Sequence, residues 1–173
     1  EFKPDVILSS VVEDTYYLWR KFMDKISDLK FISVCGGVFC TYHPQAFEGR
    51  CDYICRGEGD EAIPELMDCI SEGKDGHHLP NIHPNPMRTA CNVNKLPVTD
   101  HDIFPEKSLY RPFQGKIVKI GVTETQRGCP FKCKFCNSPS NAGLYKEETD
   151  SLFFRKKTVE HQEAELKHLI DHH

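Results

Sequence analysis

The stretch DVILSSVV, Asp5 to Val12, is a short apolar run rich in β-branched residues, the composition of a buried strand. The period changes directly after it. Between Glu13 and Leu29 the apolar positions fall at Trp19, Phe22, Met23, Ile26 and Leu29, which predicts an amphipathic helix. FISVC, Phe31 to Cys35, returns to the strand pattern and is stopped by Gly36 and Gly37. CDYIC, Cys51 to Cys55, predicts a third strand, ended by RGEGD. Ile63, Leu66, Met67 and Ile70 then mark another helix, with Gly73 as its stop. Strand, helix, strand, short helix or loop, strand, helix is the layout of an α/β fold, a parallel sheet with crossovers.

In such a sheet ligands bind beyond the carboxyl ends of the strands. Those ends carry Ser9 and Ser10, then Gly36 and Gly37, then Gly57 and Gly59. The glycines can be read as tight turns alone, or as three small-residue turns opening one sheet edge to a ligand.

The organisation expected along the chain has three parts. Residues 1–73 hold the sheet. Residues 74–115 are a proline-rich connecting segment anchored by Leu96, Ile103, Phe104, Leu109 and Tyr110, and residues 116–173 form a second unit. His77, His78, His83 and His101 lack metal-ligand spacing to one another and read as surface or satisfied histidines. The second unit opens with KIVKIGVTET, Lys116 to Thr125, which alternates like a strand, and it closes with a helix carrying Val159, Leu166, Leu169 and Ile170. One strand, one loop and one helix cannot enclose a core, so the chain reads as a piece of something longer.

Apolar residues make up 39% of the 173 and charged residues 28%, a soluble globular composition. The net charge of −4 gives no signal for nucleic acid or an anionic membrane, and no apolar run reaches the roughly 18 residues of a membrane span. The start EFKPDVILSS has neither an initiator Met nor the layout of a signal peptide. Six of the nine cysteines are scattered (Cys35, Cys40, Cys51, Cys55, Cys69, Cys91) without a disulfide framework, and several lie in apolar stretches as small hydrophobes. This usage points to a reducing, cytoplasmic setting.

The other three, Cys129, Cys133 and Cys136, lie within RGCPFKCKFCNSPS, Arg127 to Ser140, spaced C-x3-C-x2-C. A structural zinc site wants four ligands, and Cys91 or His101 would have to supply the fourth. An electron-transfer cluster also takes four cysteines. Three thiolates alone suit a cubane cluster with one iron left open to a substrate. Arg127, Lys132 and Lys134 place positive charge nearby or merely make a solvated basic surface. Phe131 and Phe135 either exclude water there or pack ordinarily.

CPFKCKFC resembles the signature of the radical S-adenosylmethionine enzymes, C-x3-C-x-aromatic-C, with Phe135 at the aromatic position. The resemblance implies a [4Fe-4S] cluster on Cys129, Cys133 and Cys136, S-adenosylmethionine on its open iron, and adenine held by the backbone at Phe135. It further implies reductive cleavage to a 5′-deoxyadenosyl radical, an electron donor of flavodoxin or ferredoxin type, and a first βα unit of a partial TIM-like barrel. The front of the chain is similar to the Rossmann-like cobalamin-binding domain often fused ahead of such barrels, with PDVILSSVV, SVCGGVFCTYHPQAF, CDYICRGEGDEAIPEL and LPVTDHDIFP in the order of that subgroup. By resemblance Ser10, Gly36, Gly37, Gly57, Glu58 and Gly59 would line the corrinoid or its nucleotide tail. The D-x-H-x-x-G cobalt-ligand motif would precede Glu1, and the Gly-Gly-Glu segment would follow His173. The implied activity is methyl transfer from methylcobalamin to an unactivated carbon of a small-molecule or lipid-like substrate. Cyclisation or rearrangement by the same family is the alternative, and a non-catalytic zinc, iron–sulfur or corrinoid-carrier module is another.

Overall fold

The computed structural model describes residues 3–172. The chain divides into two compact units: one reaches to Cys91 and takes in Glu148–Asp150, and the other comprises Asn92–Glu147 and the described chain from Ser151 onward.

The first unit is the parallel α/β layer. Strand β1 (Val6–Ser10) leads through helix α1 (Glu13–Lys25) to β2 (Ile32–Gly36), then through the short α2 (Val38–Tyr42) to β3 (Tyr53–Ile54) and α3 (Ala62–Ser71). The sheet order is β1-β2-β3 and both pairings are parallel, in register from Val6 opposite Ile32 to Ser10 opposite Gly36. Successive side chains of a strand leave opposite faces, and β2 and β3 show it. Cys35 and Ile54 join Val11, Trp19, Cys40 and Phe47 in one core, while Val34, Tyr53 and Cys55 join Ala62, Leu66 and Ile82 in the other.

Helix α1 follows its cue with one shift of face. Thr15 closes its start, its hydroxyl accepting the Val12 N–H at 3.2 Å while its own N–H donates to the Val12 carbonyl at 3.0 Å. The packed stripe is Tyr16, Trp19 and Met23, whereas Phe22 and Leu29 of the expected stripe are exposed. Aromatic contacts choose that face: the Trp19 and Phe47 centroids are 5.0 Å apart and those of Tyr16 and Phe47 5.2 Å.

Residues 74–91 fold with this first unit. Ile82 bridges antiparallel to Cys55 and is fully buried, as nearly are Met87 and Cys91. Buried Asn81 holds the segment, its amide donating to the Arg56 carbonyl at 2.6 Å and accepting the Arg88 N–H at 3.1 Å.

In the second unit every strand pairing is antiparallel among the described residues. Strand β4 (Tyr110–Phe113) pairs with β5 (Lys116–Lys119), turning through Gln114 and Gly115, both at positive φ as a tight hairpin turn demands. Strand β6 (Gln126–Arg127) pairs with β7 (Arg155–Lys156). The run expected as one strand from Lys116 to Thr125 thus ends in β5 at Lys119, and the chain re-enters extended pairing only at Gln126. Between β6 and β7 lies helix α4 (Ser138–Thr149), which the sequence did not announce: Tyr145 is its buried residue. Helix α5 (Val159–His172) is where the apolar spacing put a helix, yet Val159, Leu166 and Ile170 are exposed. Its buried residue is Glu165, paired with Lys157 at 2.6 Å, both side chains 5% exposed or less. Of the expected anchors, Leu109 is buried, Leu96 half-buried, and Ile103, Phe104 and Tyr110 exposed. No described helix is long and apolar enough to cross a membrane.

Candidate functional site

The carboxyl edge of the parallel sheet carries a cleft of ≈ 270 Å³. Ser10, Gly36, Gly37, Gly57 and Gly59 line it together with Ser9, Cys55, Leu8, Val34 and Ile63. Three turns far apart in sequence therefore meet at one place. Glu58 lies outside this lining, its Oε2 accepting the Cys91 N–H at 2.9 Å, so it braces the first unit's last segment.

Backbone geometry at the second turn needs glycine. Gly37 has φ +94°, and a Cβ there would stand 2.7 Å from the Val11 nitrogen. The close approach lets the Val11 N–H reach the Gly36 carbonyl at 2.9 Å and the Phe39 N–H reach the Val11 carbonyl at 3.1 Å. Thr41 then fastens the second turn to the third. Its hydroxyl donates to the Gly37 carbonyl at 3.0 Å and accepts the Gly57 N–H at 3.0 Å, and its own carbonyl accepts from Arg56 Nε at 3.2 Å. Sequence reasoning missed Thr41; a buried threonine four residues after a Gly-Gly stop was its only cue.

A larger cavity of ≈ 480 Å³ opens at the amino end of β2 and β3, among Trp19, Arg20, Met23, Arg50, Cys51 and Asp52. None of the expected site residues lines it. In an open parallel sheet the carboxyl edge is the ligand side, so size does not make this the candidate.

The cysteine loop is held at both ends. Before it, Gly128 has φ +83° and packs so tightly that an added Cβ would lie 2.5 Å from the Phe153 carbonyl oxygen. After it, Ser138 opens α4, and its N–H donates to Cys136 Sγ at 3.4 Å. That donor is one of the first-turn amides a helix leaves without an intrahelical acceptor. Cys129 is half-buried and Cys133 and Cys136 are exposed.

Among the described residues, two sets of three ligand atoms come within 4.8 Å of one another, Glu58–Asp60–Cys91 and Asp102–His168–His172; the three loop cysteines are not such a set, with or without His101. Ligands of a single zinc ion must crowd one centre. Thiolates of a cubane each take a different iron and stand further apart than the ligands of one ion. Three soft sulfur donors with an amide hydrogen bond to one of them fit an iron–sulfur cluster. Arg127 is engaged with Glu124 at 2.9 Å, leaving Lys132 and Lys134 as the exposed cations of the loop. Phe131 and Phe135 are 70% and 95% exposed, so neither shields the sulfurs.

The scattered cysteines behave differently. Hydrogen bonding with Cys40 and burial hold the Cys35 thiol well above its ordinary range, and hydrogen bonding with Cys35 does the same to Cys51. Burial pushes Cys55 up to about 11. A thiol raised in this way is a poor nucleophile.

No family model matches the chain, and no solved structure does. It is similar to curated proteins, each over about a third or less of the relative's length. An uncharacterised methyltransferase of Pyrococcus horikoshii is 30% identical over 83% of this chain and 33% of its own. The anaerobic magnesium-protoporphyrin IX monomethyl ester cyclase of Rubrivivax gelatinosus is 25% identical over 78% of this chain and 27% of its own. The bacteriochlorophyllide d C-8(2)-methyltransferase of Chlorobaculum tepidum is 27% identical, again over 78% and 27%. These relatives are members of the B12-binding radical S-adenosylmethionine enzyme family, and the chain is similar to them over part of their length.

Proposed function

We propose that this chain is part of a cobalamin-dependent radical S-adenosylmethionine enzyme that transfers a methyl group to an unactivated carbon. In this reading residues 1–73 are the later part of the corrinoid domain and residues 74–115 connect it onward. Residues 116–173 open the radical domain, beginning a TIM-like barrel. The observation that carries the proposal is the meeting of Ser10, Gly36, Gly37, Gly57 and Gly59 around one cleft. At ≈ 270 Å³ the cleft is at the lower limit of small-molecule sites. It suits a nucleotide tail rather than a whole macrocycle.

Cys129, Cys133 and Cys136 would hold the [4Fe-4S] cluster, and the backbone at Phe135 would meet the adenine of S-adenosylmethionine. When bound, such a cluster supplies the electron for reductive cleavage of the sulfonium to a 5′-deoxyadenosyl radical, and cobalamin supplies the methyl group. The chain's own part is positional. Gly128 and Ser138 fix the two ends of the loop, and Thr41 keeps two of the three cleft turns in register. A flavodoxin- or ferredoxin-type donor in the cytoplasm would provide the electron. The cyclase among the relatives supports a second reading, radical cyclisation of a substrate carbon skeleton by the same cofactors.

Anaerobic reconstitution with iron and sulfide tests the proposal. The expected product has broad visible absorbance and, once reduced, a paramagnetic signal that S-adenosylmethionine changes. C129S, C133S and C136S should each abolish it. A cluster that survives any of these substitutions, or one indifferent to S-adenosylmethionine, would overturn the reading.

A further inference from the structure

Helix α5 carries a second ligand-bearing cluster, independent of the cysteine loop. His168 and His172 are one turn apart, so their rings share a face, and the centroids lie 4.1 Å apart. Asp102 meets them from the turn after Asp100, its Oδ2 2.8 Å from His172 Nδ1. The carboxylate arrives on a braced backbone: the Asp102 N–H donates to Asp100 Oδ1 at 2.8 Å, and the Phe104 N–H closes the turn on the His101 carbonyl at 3.1 Å. One ligand atom from each of Asp102, His168 and His172 lies within 4.8 Å of the other two.

An ordinary surface ion pair accounts for Asp102 and His172, and such pairs contribute little. It does not account for His168. That ring's Nε2 is buried with no hydrogen-bond partner among the described residues. Leaving such a group buried and unsatisfied is unfavourable. A cation shared by imidazole nitrogens and a carboxylate oxygen would satisfy the ring and need no rearrangement of the helix. Two imidazoles and one carboxylate are a borderline nitrogen–oxygen donor set, suited to zinc, cobalt, nickel or copper and poorly suited to magnesium or calcium, which prefer all-oxygen cages. We propose that Asp102, His168 and His172 form a binding site for a divalent transition-metal ion, its remaining positions filled by water or an exogenous ligand. Bound there, the ion clips the 100–104 turn to the last turn of α5, segments 70 residues apart in sequence.

The test uses the full chain carrying C129S, C133S and C136S, so that the loop thiols do not compete for the probe. Zinc is titrated while imidazole nitrogen resonances and thermal unfolding are followed. The expected result is saturable binding of one equivalent, shifting His168 and His172 and raising the melting temperature. H168A, H172A and D102N should each weaken it by at least ~10-fold, since even loss of an outer partner commonly costs that much. H173A should leave it unchanged, which separates the site from a chance histidine pair at His172 and His173. Cobalt in place of zinc should show ligand-field bands without sulfur charge transfer. Shifts confined to His77 and His78, undiminished affinity in D102N, loss in H173A, or no saturable binding would each overturn the proposal.

Discussion

The Thr41 hydroxyl accepts the Gly57 N–H at 3.0 Å while donating to the Gly37 carbonyl, so one buried side chain ties the ends of β2 and β3 together above the cleft. Replacing it with valine keeps the shape and removes both bonds. T41V should lose about 1–3 kcal/mol of stability in urea unfolding, the cost of leaving the Gly57 N–H without its partner while the Gly37 carbonyl keeps the Thr41 N–H, and should bind corrinoid more weakly. T41S should restore both. Unchanged stability in T41V would show that water satisfies the two turns.

Lys157 and Glu165 form an ion pair 2.6 Å long inside the second unit, and Thr99 Oγ1 adds a bond to the same carboxylate oxygen at 3.4 Å. Removing one partner strands a buried charge, so K157M should destabilise the chain by about 3–5 kcal/mol in calorimetry or denaturant. The double variant K157M/E165L should recover most of that loss. Equal damage in single and double variants would place the cost in packing rather than charge.

Thiol reactivity should sort the nine cysteines. Timed alkylation at pH 8 followed by peptide mass analysis should label Cys133 and Cys136 first. Cys35, Cys40 and Cys55 should react only on unfolding. The same burial sets a pH dependence. Folded Cys55 titrates near 11, above the ordinary thiol range, so its stabilising contribution is complete below that range and is lost as pH rises toward 11. Stability should therefore fall across the alkaline limb, and C55A should flatten that fall. Early labelling of Cys55 would contradict its burial.

Ser138 tests the hydrogen bond to the loop. Proline at the first position of a helix costs little, because that N–H has no intrahelical acceptor, so S138P should keep α4 while deleting the bond to Cys136 Sγ. In reconstituted protein the cluster's reduction potential should move to more negative values, because the lost donor had offset thiolate charge. An unchanged potential would show that this bond is absent once iron is bound.

What the sequence disclosed, and what it concealed, divides along physical lines. Strands β2 and β3 announced themselves because burial forces apolar runs, β1 by its β-branched run although its side chains are half-buried or exposed, and Gly37 marked its turn because no other residue tolerates that approach to Val11. Helix α4 was invisible because it buries Tyr145 and otherwise carries no apolar stripe. The packing of residues 74–91 was not legible because their core members, Ile82, Met87 and Cys91, follow no period and the segment is fastened through the Asn81 amide. On α5 the apolar spacing drew attention from Glu165, whose burial depends on Lys157 eight residues earlier. Asp102, His168 and His172 come together only through the fold, since Asp102 lies far from the two histidines in sequence.

Pinned at Gly128 and at Ser138, the cysteine loop is a short tether with three thiols at high effective concentration toward one another. In the proposed reading, that shared tether is what would gather the three sulfurs for iron. The loop is also a ready substrate for oxidation, since two exposed neighbouring thiols, Cys133 and Cys136, can pair with each other in air. Assembly and damage draw on the same sulfurs, so the order in which the loop meets iron and oxygen decides which one it records.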